Sequence, residues 1–369
     1  MGFSAEIKDF FLYCVGLGIG TRTVLSFDSQ VSGSIDWEVL ENLAAEQGLS
    51  AILVDGIEKM PDGKRPPKPV LLQWIGETLQ GYEYRYELYC RTIAEMAAFY
   101  NEHGFKMMVL KGYACSLNWP KPEHRPCGDI DIWLFGLQKE ADKELEASFK
   151  VQDPSFKMDR SHHHHTVFNW RDFMVENHYD FVNIYSHKSS KELEKTLKQL
   201  GEDDSHTVEV YGEKVYLPSP NLHALFLIRH ALNHFASSNI NMRQVLDWAF
   251  FVQKHGKDVD WTWLGDLLEK FHMKDFYNCI NAICVENLGF PVSIFPQVQF
   301  EPNQKERVLQ DILSPQYGTE PPKGLVKRLV FKVKRWKSNA WKRELCFDEG
   351  GLASFFGSIW SHVIKPNTI

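Results

Sequence analysis

Between Leu72 and Tyr100 the apolar positions Leu72, Ile75, Leu79, Tyr82, Tyr86, Tyr89, Ile93, Met96 and Tyr100 recur at alternating steps of three and four. That period predicts one long amphipathic helix ending near Gly104. From Phe3 to about Leu53 the pattern is also helical, with Trp37, Leu40, Leu43 and Ala44 on one buried face and Gly48 as a stop. The intervening PDGKRPPKP, Pro61 to Pro69, predicts a loop, because its prolines lack a backbone donor and restrict the residues before them.

The period changes at Phe105. FKMMVL, Phe105 to Leu110, is a short apolar run bounded by Gly104 and Gly112 and suits a buried strand. YACSLNW then predicts a short helix stopped by Pro120. The loop PKPEHRPCG leads into DIDIWLF, where polar and apolar residues alternate as in a strand with one wet face. Lys139 to Phe149 reads as a helix, and two β-prone runs around Asn169 to Asp172 predict a hairpin. Ser219 followed by Pro220 makes an N-cap and first helical position. Helical spacing then runs from Leu222 to Leu288, and from about Glu306 the chain is helical with loops. The pattern predicts an α+β chain in three parts: a helical region over 1–104, a sheet-bearing core over 105–218 and a helical region over 219–369.

The strongest chemical signal is LKGYACSLNW followed by RPCGDIDIWL. On a strand, Asp129 and Asp131 share one face, and a divalent cation would relieve their repulsion. Hard oxygen ligands select Mg²⁺ or Mn²⁺, which suits phosphate chemistry. The turn at Gly112 lies between strand and helix, where backbone N–H groups could receive a phosphate, with Lys111 and Arg125 adding charge. A third carboxylate is wanted on a neighbouring strand, and FMVENHYDF supplies Glu176, His178 and Asp180 on one face. Glu176 is preferred, being nearer the start of the strand.

The order strand, Lys-Gly, short helix, loop with Arg, Asp-Ile-Asp-Ile and a later strand acid resembles the minimal nucleotidyltransferase fold of the DNA polymerase β superfamily. More narrowly, the pieces LKGYA, RPCGDIDIWL, VENHYDF and LHALFLIRHALNHF with INMRQVLDWAFFV are similar to a bacterial family of uncharacterised nucleotidyltransferases, over about Leu40 to Val252. The resemblance implies a short mixed sheet with helices, flanked by helical N- and C-terminal regions. It implies Asp129, Asp131 and Glu176 as catalytic metal ligands and Gly112 as the nucleotide-phosphate turn, with Lys111, Tyr113 and Arg125 beside the nucleotide. The chain departs from the broader pattern in having Tyr113 after Gly112, where Gly or Ser is usual, and in a longer stretch from Gly112 to Asp129. The reaction implied is transfer of an NMP group from an NTP, ATP or another, to an acceptor, with release of pyrophosphate. The acceptor, whether small molecule, protein or RNA, is left open.

Other motifs add less. His162 to His165 alternate faces on a strand, cannot all ligate one ion, and are expected on a solvated strand or loop. His230 and His234, at i and i+4, lack the following Glu of a zinc-protease helix and are expected in packing or a substrate cleft, with His178 as a further acceptor contact. Arg243 and Asp247 read as a surface ion pair, Arg243 being kept as a substrate candidate. GLGIG at Gly16 to Gly20 lacks dinucleotide-site spacing, and neither GxxxxGK[ST] nor GxSxG occurs. The segment KGLVKRLVFKVKRWKSNAWKR, 323–343, carries nine basic residues and no acid, with Leu325, Leu329, Val333, Trp336 and Ala340 on one stripe. It suggests a packed helix with a solvated basic face. Two rival readings are a catalytically silent nucleotide-binding or regulatory module and an RNA-binding protein using this segment.

Composition bounds the rest. With 369 residues, 44% hydrophobic and 13% aromatic, the chain is globular, long enough for two or three units, and neither collagenous nor disordered. A net charge of −7 gives no global field for a polyanion. Seven scattered Cys without a CxxC pair suggest a reducing cytoplasm. The acidic residues Glu6 and Asp9 argue against a signal peptide, and no apolar window is long enough for a stable membrane anchor.

Overall fold

The computed structural model describes residues 3–24, 35–162, 164–184, 187, 189–296, 299–317, 322 and 324–347. In chain order the helices and strands are α1 (Ala5–Ile19), α2 (Trp37–Glu46), α3 (Ser50–Glu58), α4 (Lys68–Thr78), α5 (Arg85–Glu102), β1 (Met108–Val109), α6 (Tyr113–Ser116), β2 (Ile130–Trp133) and α7 (Gln138–Gln152). They continue with β3 (His165–Trp170), β4 (Phe173–His178), α8 (Ser190–Leu200), β5 (Thr207–Val210), β6 (Glu213–Tyr216), α9 (Pro220–Ser237) and α10 (Met242–His255). The last are α11 (Trp261–Lys270), α12 (Lys274–Glu286), α13 (Pro302–Leu313), α14 (Leu325–Ser338) and α15 (Ala340–Cys346). This is the expected α+β class, a mixed sheet with helical regions before and after it.

Packing divides the chain into two units, and both are discontinuous in sequence. Among the described residues, one comprises those of 1–84, 118–126 and 228–347; the other comprises those of 85–117 and 127–227.

The second unit holds a six-stranded sheet in the order β3-β4-β2-β1-β6-β5. β1 runs antiparallel to β2 and parallel to β6, while β2 runs parallel to β4. Two hairpins, β3–β4 and β5–β6, close the edges. Beneath the sheet lies an apolar core in which Tyr89, Ile93, Met96 and Tyr100 of α5 meet Ile130, Ile132, Phe173 and Val175 of the strands. One buried polar group is built into this side. Asp142 of α7 accepts hydrogen bonds from Thr166 Oγ1 at 2.8 Å and from Asn177 Nδ2 at 2.7 Å, so the helix is registered on the sheet by paired polar atoms as well as by apolar contact.

In the first unit, early helices are tied to late ones. Gln47 is 2% exposed; its amide donates to Ile312 O at 3.0 Å and accepts from Met242 N–H at 2.9 Å. Thr21 Oγ1 donates to Leu288 O and Arg22 Nη2 donates to Asn287 O.

Several expectations are corrected. The predicted single helix over Leu72 to Tyr100 is helical throughout but passes through a π-helical stretch at Leu79–Tyr84, which turns the downstream face relative to the upstream one. Leu72 and Leu79 are accordingly exposed, while Tyr89, Ile93, Met96 and Tyr100 are fully buried. The Pro61–Pro69 loop ends early: α4 starts at Lys68 with Pro69 in its first turn, where the missing N–H has no intrahelical partner to lose. Of Phe105 to Leu110 only Met108–Val109 is paired as strand. β2 has no wet face, since all four of its residues are buried. On α14, Val333 is exposed rather than packed, and Lys342 and Arg343 of α15 are buried rather than solvated. Leu325, Leu329 and residue 323 lie outside the described side chains. Helix α8 and the β5–β6 hairpin are additions; the hairpin turns at Tyr211 and Gly212, both with positive φ, as a tight two-residue turn demands.

All seven cysteines are buried and unbridged. Among the described residues no helix is long and apolar enough to cross a membrane.

Candidate active site

The site is assembled on one face of the sheet by strand register. On the parallel pair β2–β4, Asp131 lies opposite Glu176 and Trp133 opposite His178; on the antiparallel pair β3–β4, His165 lies opposite His178. Because partners in a ladder share a face, Asp131, Glu176, His178 and His165 converge on the same side. Asp129 precedes β2 by one residue on the Asp131 side. Lys111 follows β1, where Leu110 N–H donates to Asp131 O at 3.0 Å and so sets the two chains side by side.

Side-chain contacts confirm the convergence. Lys111 Nζ is 2.7 Å from Asp131 Oδ1, and His178 Nε2 donates to the same oxygen at 3.0 Å. His178 Nε2 is also 3.4 Å from Glu176 Oε2, and its Nδ1 donates to Asp180 O at 3.2 Å. One donor atom each from Asp131, Glu176 and His178 lie within 4.8 Å of one another. Two carboxylates at that spacing repel by roughly 3–4 kcal/mol at an effective dielectric of ~20, so the arrangement requires positive charge between them. Here Lys111 and His178 supply it.

The electrostatics follow. Burial opposes ionisation of Asp131, but Lys111 and His178 outweigh it and hold the carboxyl well below the usual range. The negative charge of Asp131, then burial, pushes Asp129 up. Burial works against charge on His178, yet its bonds to Asp131 and Glu176 raise it to about 9. Burial likewise opposes charge on Lys111, but Asp131, Asp129 and Glu176 more than offset this and raise it. Glu176 is lowered overall despite its burial, chiefly through His178.

Gly112 opens α6 with φ +51°, and a Cβ there would sit 2.2 Å from the Tyr89 hydroxyl. That hydroxyl donates to Asp129 O at 2.9 Å. Tyr89 thus couples the glycine turn to the backbone carrying the first aspartate, a role that the helical period marks only as apolar.

The remaining sequence candidates are placed as follows. Tyr113 is 6% exposed and its ring packs in the apolar core. Arg125 belongs to the first unit, where its Nε and Nη2 bind Asp247 at 2.7 and 2.9 Å in a buried bidentate pair. Asp247 is therefore not half of a surface pair with Arg243: it is 5% exposed and also accepts from Trp119 Nε1. Arg243 directs Nη1 to Pro126 O at 3.4 Å. His230 and His234 lie ring against ring on α9, centroids 4.4 Å apart. His165 is not solvated as expected but 6% exposed, with rings of His164 at 4.3 Å and His178 at 5.3 Å. Its neighbour across the ladder is fixed by register, which the His run itself does not encode; His163 lies outside the described residues.

Residues 33–289 match a protein family described as uncharacterised nucleotidyltransferase. No curated protein matches the chain. Among solved structures, the chain is similar to an antigenic nucleotidyltransferase-like protein from Paracoccidioides brasiliensis at 16% identity, with 44% of this chain and 75% of that one covered and a TM-score of 0.31.

Proposed function

This chain belongs to that family of uncharacterised nucleotidyltransferases, and from that premise we propose that it moves an NMP group from an NTP to an acceptor nucleophile, using the acidic face of the sheet. The observation that carries the proposal is the register of β2 on β4, which sets Asp131 beside Glu176 with Lys111 against them.

Asp131 and Glu176 fit a hard divalent cation, Mg²⁺ or Mn²⁺, and Asp129, one strand repeat before Asp131, is the third carboxylate of this proposal. Carboxylate oxygens are such a cation's preferred donors, and the like charge of Asp131 and Glu176 is compensated in the structure by cationic side chains that such an ion would relieve. When bound, the ion supplies charge neutralisation at the phosphates and a template for in-line displacement. The chain's own groups do the rest. The acceptor oxygen bonds to the α-phosphorus as the bond to pyrophosphate breaks, and the acceptor's proton passes to the ionised Glu176. Lys111 faces the charge that develops on the departing pyrophosphate, and the Gly112–Tyr113 backbone offers N–H groups with no Cβ in the way at Gly112. His178 holds Asp131 and Glu176 in place through its ring N–H.

The test is transfer of label from each α-³²P-NTP, with Mg²⁺ and then Mn²⁺, into protein, RNA and small-molecule pools of a cell extract. Asp129→Asn and Asp129→Asn/Asp131→Asn serve as controls, each checked for folding by thermal melting. Label incorporated only by the wild-type chain supports nucleotidyl transfer and names the acceptor class. Equal labelling by all three folded proteins overturns it.

One observation favours a second reading. Lys111 and His178 already neutralise Asp131 without a metal, as a module that binds nucleotide without reaction would need. That reading requires NTP binding that is independent of divalent metal and survives Asp129→Asn.

A further inference from the structure

We infer that His164, His165 and His178 form a second cation site, for a borderline first-row divalent ion of which Zn²⁺ is the representative, on the same sheet face but chemically distinct from the carboxylates. The inference stands on the imidazole geometry alone and does not rest on nucleotidyl transfer.

Three ring nitrogens, one from each of these histidines, lie within 4.8 Å of one another. A tetrahedral ion bound at 2.0–2.1 Å holds its nitrogens about 3.4 Å apart, so modest side-chain rotation closes the set. A second, independent observation points to a missing partner. His165 is 6% exposed, yet among the described residues neither of its ring nitrogens has a hydrogen-bond partner, and the buried Nδ1 of His164 has none either. A buried polar group left unmatched costs about 1–3 kcal/mol, and apolar side chains would fill this volume without that cost. Three unmatched ring nitrogens on His164 and His165, beside the ring of His178, are what an ion, rather than packing, accounts for.

The donors also choose the ion. Imidazole nitrogen binds Zn²⁺, Co²⁺, Ni²⁺ and Cu²⁺ far better than Mg²⁺ or Ca²⁺, which prefer oxygen. The nearest anionic oxygen for a fourth position is on Glu176, 3.8 Å from His165 Nδ1. His178 joins by turning one ring nitrogen from its carboxylate or carbonyl partner to the ion. The strand ladder explains why the site forms at all: His165 and His178 are register partners on β3 and β4, and His164 is held at the start of β3 because its carbonyl accepts from the N–H groups of Tyr179 and Asp180.

The experiment uses the full chain without a polyhistidine tag, titrated with ZnCl₂ in excess Mg²⁺ and followed by calorimetry. X-ray absorption at the zinc edge is then measured on the one-to-one wild-type complex. The expected result is one Zn²⁺ per chain that Mg²⁺ does not displace, with a coordination shell of three imidazoles. In His165→Ala the affinity falls at least tenfold, while Asp129→Asn retains it. A shell of two or fewer imidazoles overturns the inference, as does equal affinity in His165→Ala. The absorption measurement is made on wild-type protein, so it stands even if His165→Ala fails to fold.

Discussion

At Gly112 the backbone adopts φ +51° directly beneath the Tyr89 hydroxyl, so any side chain meets both an unfavourable backbone well and a 2.2 Å collision. Gly112→Ala is expected to destabilise the chain by about 1–3 kcal/mol, measured by denaturant unfolding. Tyr89→Phe, which keeps the ring and loses the bond to Asp129 O, is expected to cost only about 1 kcal/mol. If the glycine were merely a flexible joint, Gly112→Ala would be neutral. At this scale much of the site was legible. Period two placed Asp129 with Asp131 and Glu176 with His178, and Lys111 beside Gly112 was visible as a charged turn. His165 was not legible, because its burial depends on which strand lies opposite, and that is a long-range fact. Arg125 and Asp247 misled for the same reason: a spacing of four on α10 suggests Arg243 as the partner of Asp247, whereas the guanidinium that claims it comes from 122 residues away.

Among elements, α7 and α8 show how buried carboxylates fix helices to the sheet unit. Asp142→Ala removes the acceptor for both Thr166 and Asn177 and is expected to cost about 2–4 kcal/mol in unfolding free energy. Glu194 of α8 accepts the N–H groups of Phe181 and Val182, both at 3.0 Å. Burial, helped by nearby Asp180 and opposed by those two bonds and Lys198, raises its carboxyl from 4.5 to about 7. Between those values the native state keeps a proton that the unfolded chain releases, so the Glu194 contribution favours folding at low pH and is lost as pH rises. The loss amounts to up to roughly 3 kcal/mol. Comparing melting temperatures at pH 5 and pH 7.5, wild type should therefore lose several degrees more than Glu194→Gln; parallel pH profiles would refute this. The element pattern was legible wherever local signals were strong, as in the β3–β4 hairpin around Arg171 and the Ser219–Pro220 helix start. It was less so where the element is short or contacts distant chain: β1 is a strand of two residues, and neither α8 nor the β5–β6 hairpin was read from the sequence.

For the molecule as a whole, the first unit is closed by chain segments far apart in sequence, so its stability depends on contacts made across most of the chain. Gln47 is such a clasp. Gln47→Ala leaves Ile312 O and Met242 N–H without their partner and is expected to cost about 2–4 kcal/mol, read as a lower denaturant midpoint at unchanged slope. The buried thiols allow the two units to be followed separately. Cys14, Cys279, Cys284 and Cys346 lie in one unit, and Cys90, Cys115 and Cys127 in the other. Burial pushes up the thiols of Cys14, Cys90, Cys279, Cys284 and Cys346, those of Cys90 and Cys279 to about 12. An alkylating reagent needs exposed thiolate, so it can react only after local opening. Pulsed iodoacetamide labelling in increasing urea, resolved by peptide mass spectrometry, therefore yields two sets of protection curves from one unmodified sample. Curves that coincide mean the chain unfolds as one cooperative body, and curves that separate rank the two units by how readily each one opens.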